Sequence, residues 1–256
     1  MRKSTEAHWT RFWRERAAIE DVYPTEGRVV DQILAEGPVE GRRILEVGAG
    51  SGRDSVALAE AGATSVLLDY SAASLEVARG VASGAGRSVH LVRADALRMP
   101  FRDGAFQVVF HQGLLEHFRD PLPLLLENVR VLGVGGILLV DVPQRFHLYT
   151  VLKHFLIAFG AWFAGWETEF TIDELERLMK KAGVIVTKRY GSWMVPGLLY
   201  RSLRLVLLRS RVARLPLYPP PVPVLSNLAL AVRKRFRNTK ASFYTYFVIG
   251  ALGRKG

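Results

Sequence analysis

The residues with the clearest chemical meaning form one run, Glu46-Val47-Gly48-Ala49-Gly50-Ser51-Gly52-Arg53-Asp54, with glycine at every second position from Gly48 to Gly52. Glycine reaches tight backbone conformations closed to other residues and lets a ligand approach backbone N–H groups. Such a turn alone also serves nicotinamide and flavin sites. Two carboxylates narrow the reading. Asp69 stands 19 residues beyond Gly50, where it can accept both hydroxyls of a ribose, and Asp95, in Arg93-Ala94-Asp95-Ala96, can receive an adenine amino group. The three features together describe a nucleoside site. The chain has no cysteine, which excludes a disulfide scaffold, a thiolate zinc site, an iron–sulfur cluster and a cysteine nucleophile, and its six histidines lack ligand spacing, so no metal is expected.

These residues need strands and helices to bring them together. Ile44–Val47, Ser65–Leu68, Val89–Val92, Phe106–Phe110 and Ile137–Val140 read as strands, and helices are expected near Arg53–Ala61, Ala72–Ala82 and Leu122–Leu132. Alternation of this kind means βαβ units, a parallel sheet covered on both faces, and ligand loops at the carboxyl edge of the strands. The glycine run then follows the first strand, Asp69 ends the second and Asp95 follows the third. Thr171 with Glu174 forms a capping box ahead of a further helix that Gly183 closes. Two more strands are expected, Val184–Tyr190 and Phe243–Ile249. At the N-terminus Trp9, Phe12 and Trp13 share one helical face.

On these motifs the sequence resembles the class I S-adenosylmethionine-dependent methyltransferases. Glu46 to Gly52 is similar to their first motif, with an acidic residue two places before the first glycine. Leu68-Asp69-Tyr70-Ser71 resembles the second, and Asp95-Ala96 through Met99-Pro100-Phe101 the third. Similarity continues through Asp103–Val109, Gly113–Phe118 and Arg130–Gly136, covers about residues 40 to 190 and returns at the last strand. A nicotinamide site fails at Glu46 and Gly52. The resemblance implies an α/β, Rossmann-like sheet of seven strands, mostly parallel with the last antiparallel, helices on both faces and a helical cap. It implies S-adenosyl-L-methionine as cofactor, with Gly48, Gly50 and Gly52 lining its methionine end. Glu46 would fix the turn or reach the amino group, Asp69 would hold the ribose, and Asp95 with Ala96 the adenine. Ala49, Tyr70 and Gln112 complete the expected cofactor-binding set. Methyl transfer needs alignment and exclusion of water before it needs a base. His111, just past the fourth strand, is the candidate base, and His117 is given a packing or capping role. Glu167 and Glu169 carry two readings, acceptors of a substrate proton or solvated charges before a helix.

Aromatics fall in three segments expected to border the acceptor: Trp9, Trp13 and Tyr23; Phe155, Phe159, Trp162, Phe163 and Trp166; Tyr190 and Trp193. They suggest a large apolar acceptor pocket, and the stretch Leu148–Trp166 reads as a lid helix. Residues 1–38 are expected to form an N-terminal helical lid, 39–190 with 242–256 the cofactor-binding core, and 191–241 a basic helical cap. The net charge of +11 is uneven. Up to Glu176 there are 18 basic and 24 acidic residues, and beyond it 17 basic and no acidic ones. Leu and Arg interleave at helical spacing in Leu198–Arg214, and Arg233-Lys234-Arg235-Phe236-Arg237 ends a second basic stretch, which suits peripheral contact of 198–240 with an anionic membrane as much as simple packing. The N-terminus carries no export signal pattern, so a cytoplasmic protein, peripheral to the inner membrane face, is expected. The function expected is methyl transfer to oxygen or carbon of a hydrophobic small molecule, lipid-like or quinone-like. A nucleic-acid (RNA) methyltransferase is disfavoured, since His111-Gln112-Gly113-Leu114 stands where base N-methylation uses Asn or Asp before Pro-Pro-aromatic. A non-catalytic, membrane-associated adaptor that binds S-adenosylmethionine is the other alternative.

Overall fold

The β-branched and Leu-rich runs form seven strands: β1 (Arg43–Val47), β2 (Thr64–Asp69), β3 (His90–Arg93), β4 (Phe106–Gln112), β5 (Leu132–Pro143), β6 (Val184–Ser192) and β7 (Val248–Lys255). The computed structural model describes residues 5–15, 27–159, 167–220, 223–237 and 239–256. Tyr23, Trp162, Phe163 and Trp166, named among the expected aromatics, lie outside them. The described helices are α1 (Glu6–Glu15), α2 (Arg28–Leu34), α3 (Arg53–Glu60), α4 (Ala72–Gly84), α5 (Leu122–Val131), α6 (Leu148–Ala158), α7 (Ile172–Lys181), α8 (Leu198–Arg209), α9 (Pro223–Phe236) and α10 (Ser242–Thr245). A 3-10 turn covers Leu115–His117.

The sheet order is β3-β2-β1-β4-β5-β7-β6, with β7 antiparallel to both of its neighbours and the other described pairs parallel. This is the expected α/β architecture. Its order reverses between β1 and β4, and the crevice beyond the carboxyl ends there is where ligands of open α/β sheets sit. The period-2 pattern divides the core. Ile44, Val108, Phe110 and Leu139 face Val29, Val30 and Ile33 of α2, whereas Leu45, Val109, Leu138 and Val140 face Leu124 and Leu125 of α5 and Leu175 and Met179 of α7. The capping box starts α7 as its sequence dictates: Thr171 N–H donates to Glu174 Oε2 at 2.8 Å, and Glu174 N–H donates to Thr171 Oγ1 at 3.3 Å.

Three boundaries differ from expectation. Because α2 buries Val29, Val30 and Ile33 against the sheet, it belongs to the core, and of the expected lid 1–38 it is α1 that reaches the site. Phe243 does not begin the last strand. Residues 242–245 form α10, which with Tyr246 seals the sheet end, the Tyr246 ring lying where a side chain on Gly191 would be. The insertion is shorter than 191–241, since Trp193 Nε1 donates to Thr245 Oγ1 at 3.1 Å and Thr239 caps Ser242. Within it α8 buries no side chain. Arg201 Nε donates to Pro196 O at 2.9 Å and Arg204 Nε to Leu215 O at 3.0 Å, so the excursion is tied to its own flanks rather than laid over the sheet as a cap.

At one corner Ser192, Val248 and Pro143 lie side by side in register. The chain leaves β5 for α6 there, leaves β6 towards α8, and returns after α9 and α10 into β7.

Candidate functional site

A cavity of about 330 Å³ opens at the carboxyl ends of β1, β2 and β4, at the switch point. Its floor is the glycine turn. Gly48 and Gly50 have φ of +65° and +54°; a Cβ on Gly48 would lie 2.8 Å from Leu114 Cδ1, and one on Gly50 2.7 Å from Trp13 Cζ2. Any larger residue would therefore fill the cradle or open its walls. Gly52 also needs its φ of +67°, but its face turns to Leu67 and Ala78, and it does not line the cavity. It lets α3 close on β2, which corrects its expected place at the methionine end.

The other expected cofactor-binding residues line the cavity together: Glu46 and Ala49 from β1 and its turn, Asp69 and Tyr70 from the end of β2, Asp95 and Ala96 after β3, and Gln112 from the end of β4. Asp69 is buried and already engaged. Its Oδ2 accepts from Gly50 N–H at 3.0 Å and its Oδ1 from Ser71 N–H at 2.8 Å, so it clamps the turn at the cavity wall. Burial raises its pKa and these amides pull against the rise. Asp95 is exposed, its Oδ1 accepting from Leu97 N–H at 2.9 Å. Glu46 accepts from Ser55 Oγ at 2.5 Å, and burial, with Asp54 nearby, pushes it up to about 8. Burial, then Asp69 and Glu6, push the Tyr70 phenol upward.

His111 is not at the cavity. It is fully buried inside β4, paired with Val140, and among the described residues neither ring nitrogen has a hydrogen-bond partner. Burial drives it down to about 3, so it stays neutral, and sealed from the cavity it has no reach to an acceptor. Strand alternation is the reason: the neighbouring Gln112 turns to the cavity instead. The histidine that lines the cavity is His117, whose ring stands edge-on to Trp9 with centroids 5.0 Å apart. Glu167 and Glu169 are neither solvated nor at the cavity wall. Both are buried, with Lys153 Nζ 2.6 Å from Glu167 Oε2 and 2.7 Å from Glu169 Oε1, and His154 Nε2 lies 2.6 Å from Glu169 Oε2.

One group escaped the sequence reading. Arg28, on α2, makes a two-pronged ion pair with Asp141 at 2.9 and 3.0 Å and donates to Gln112 Oε1 at 3.2 Å, so it orients a cavity side chain. No local pattern announces a partner 113 residues away. Trp9 and Trp13 close the cavity from α1, held down by Thr10 against Ser71 at 3.2 Å and Glu6 against Arg93 at 2.7 Å. Both stand in the N-terminal segment whose aromatics were expected to border the site.

The arrangement fits an adenosyl cofactor with a methionine end. The cavity wall holds a buried carboxylate, Asp69, that could take ribose hydroxyls, the apolar Leu68, Leu114 and Phe118 that could border a flat base, and the α3 N-terminus beside the glycine turn, which favours a carboxylate. Residues 45–140 match the family model described as a methyltransferase domain. Over 102 residues the chain is 43% identical to a demethylmenaquinone methyltransferase of Clavibacter sepedonicus, covering 40% of this chain and 41% of that protein. Over 168 residues it is 30% identical to a ubiquinone biosynthesis O-methyltransferase of a Ruegeria species, covering 62% of this chain and 66% of the relative. The chain thus spans less than two thirds of the length of these relatives. A SAM-dependent methyltransferase from Thermotoga maritima shares the fold, with a TM-score of 0.66 and 20% identity over 98% of this chain and 99% of that one. Residues 45–140 thus match a methyltransferase domain, and the sheet order and glycine cradle around them are those of the fold shared with S-adenosylmethionine-dependent methyltransferases.

Proposed function

We propose that the chain transfers a methyl group from S-adenosylmethionine to an oxygen or carbon of a hydrophobic, quinone-like small molecule. The observation that carries this reading is the cavity at the switch point, whose floor is the glycine cradle and whose walls hold Asp69 and Asp95. The acceptor class follows the relatives that methylate demethylmenaquinone or act in ubiquinone biosynthesis. S-adenosylmethionine, when bound, supplies an electrophilic methyl on a cationic sulfonium. The chain's own part is alignment and shielding. Asp69 and the turn amides fix one end, Gln112, oriented by Arg28, borders the other, and Trp9 and Trp13 exclude water above. A phenol or an enolisable ring carbon is acidic enough to react under alignment, so the burial of His111 takes nothing from this chemistry.

We further infer peripheral contact of residues 198–240 with an anionic membrane on the cytoplasmic side. In support, α8 leaves Leu199 89% exposed, with Leu203 and Val206 also in solvent, among unopposed basic residues. No helix among the described residues is long and apolar enough to cross a membrane.

The test is binding of S-adenosylhomocysteine by calorimetry, followed by transfer of labelled methyl to 1,4-naphthoquinol, to a catechol and to RNA. Binding with transfer to a quinol ring carbon or hydroxyl supports the reading. Transfer to RNA overturns it in favour of nucleic acid, and binding without transfer to any of these points to the adaptor.

A further inference from the structure

Helix α6 is inverted. Its buried side chains are polar, Thr150 donating to Gln144 O at 2.7 Å and Lys153 held between Glu167 and Glu169. Its outward face is apolar: Leu148, Val151, Leu152, Phe155 and Leu156 follow helical spacing, and Phe159 just past its end is 84% exposed. In water this arrangement is unfavourable on both sides, since a charged cluster is desolvated while a continuous apolar ridge stays wet. It was expected to be a lid over the acceptor, yet no described residue of α6 lines the cavity.

We propose that the α6 ridge is the element that inserts shallowly into a lipid surface, with the basic α8 and α9 excursion resting on the headgroups beside it. This deepens the membrane and acceptor readings above and rests on them. The occupant is argued from place and charge. α6, α8 and the return from α9 all leave the sheet at the corner formed by Pro143, Ser192 and Val248, and Phe146 and Tyr149 at the root of α6 pack on Tyr244 and Phe247 beside that return. The apolar ridge and the arginine-bearing excursion thus leave the sheet from the same corner, and residues beyond Glu176 include no acid to neutralise the arginines. A soluble protein partner would answer the apolar ridge alone, whereas an anionic bilayer answers ridge and arginines at once. The corner also lies at the carboxyl edge of the sheet, where Gln112 pairs in register with Asp141 two residues before Pro143. An acceptor dissolved in the bilayer would therefore meet the protein on the edge that carries the cavity.

The absence of native cysteine makes the test clean. Leu152→Cys and, as a control on α4, Glu76→Cys carry an environment-sensitive dye, and the full chain is mixed with vesicles of phosphatidylcholine alone or with phosphatidylglycerol added. A blue shift at position 152 but not at 76, deepest with the anionic vesicles, is expected. In flotation, the double variant Leu152→Gln with Phe155→Gln should bind these vesicles at least tenfold more weakly, while calorimetry shows unchanged S-adenosylhomocysteine binding, which separates this proposal from the methyltransferase reading. Unchanged flotation of the double variant, or no shift at 152, overturns the proposal. A dimer in ultracentrifugation that the double variant disperses overturns it as well, because the ridge would then be covered by a second copy.

Discussion

Asp69 does two things at once, and its replacement must be read with both in mind. It ties Gly50 and Ser71 into the turn and presents a carboxylate to the cavity. Asp69→Ala removes charge-assisted hydrogen bonds, so S-adenosylhomocysteine affinity should fall by about 1.5 to 3 kcal/mol, with Asp69→Asn losing less because one oxygen remains an acceptor. Calorimetry showing equal affinity for the Ala variant would remove Asp69 from the site. Glu46 yields a second prediction. Its folded pKa of about 8 lies above the usual 4.5, so the folded chain holds a proton that the unfolded chain has lost. Stability therefore falls as pH rises from about 4.5 to about 8, and Glu46→Gln should flatten that window in urea titrations. If the cationic amino group of the cofactor arrives beside Glu46, binding near pH 7 should release a proton, seen as a calorimetric enthalpy that depends on the buffer. A buffer-independent enthalpy would leave Glu46 with the turn alone.

At the scale of elements, the Lys153 cluster pins α6 to the segment before α7. The lysine loses hydration on burial, but Glu167 and Glu169 more than compensate and raise its pKa, so it stays charged. Lys153→Met removes the cation that the two buried carboxylates share and should destabilise the chain by about 3 to 5 kcal/mol in urea unfolding at pH 7. A loss under about 1 kcal/mol would mean that the cluster is hydrated. The sequence could not reveal this cluster, because Lys153 only interrupts an apolar stretch that reads as a lid helix. The glycine turn, Asp69 and the strand alternation were legible because each is local, a motif within one βα unit or a period within one strand. The side of β4 that His111 faces depends on register, and the pairing of Arg28 with Asp141 depends on topology, so neither could be read from spacing.

For the whole molecule, the question is whether the basic excursion is part of the folded core. The described geometry says that it is separable. α8 buries no side chain, and the ends of the excursion are already held together by Trp193 Nε1 and Thr245 Oγ1 at 3.1 Å. Replacing residues 195–237 with a short glycine-rich linker keeps Trp193, Thr239 and α10, and removes nine basic residues. Cofactor affinity should then stay within about 0.5 kcal/mol, the scale of changes remote from a site. Vesicle binding should lose its dependence on salt, because each removed arginine or lysine near an anionic surface contributes about 1 kcal/mol, screened over roughly 8 Å at physiological ionic strength. The remaining binding should be the salt-insensitive part that α6 supplies. Flotation of the shortened chain at low and high salt, beside a thermal melt, separates the outcomes. Unfolding would make the excursion a part of the core, and an unchanged salt dependence would move the electrostatic contact to the residues outside 195–237.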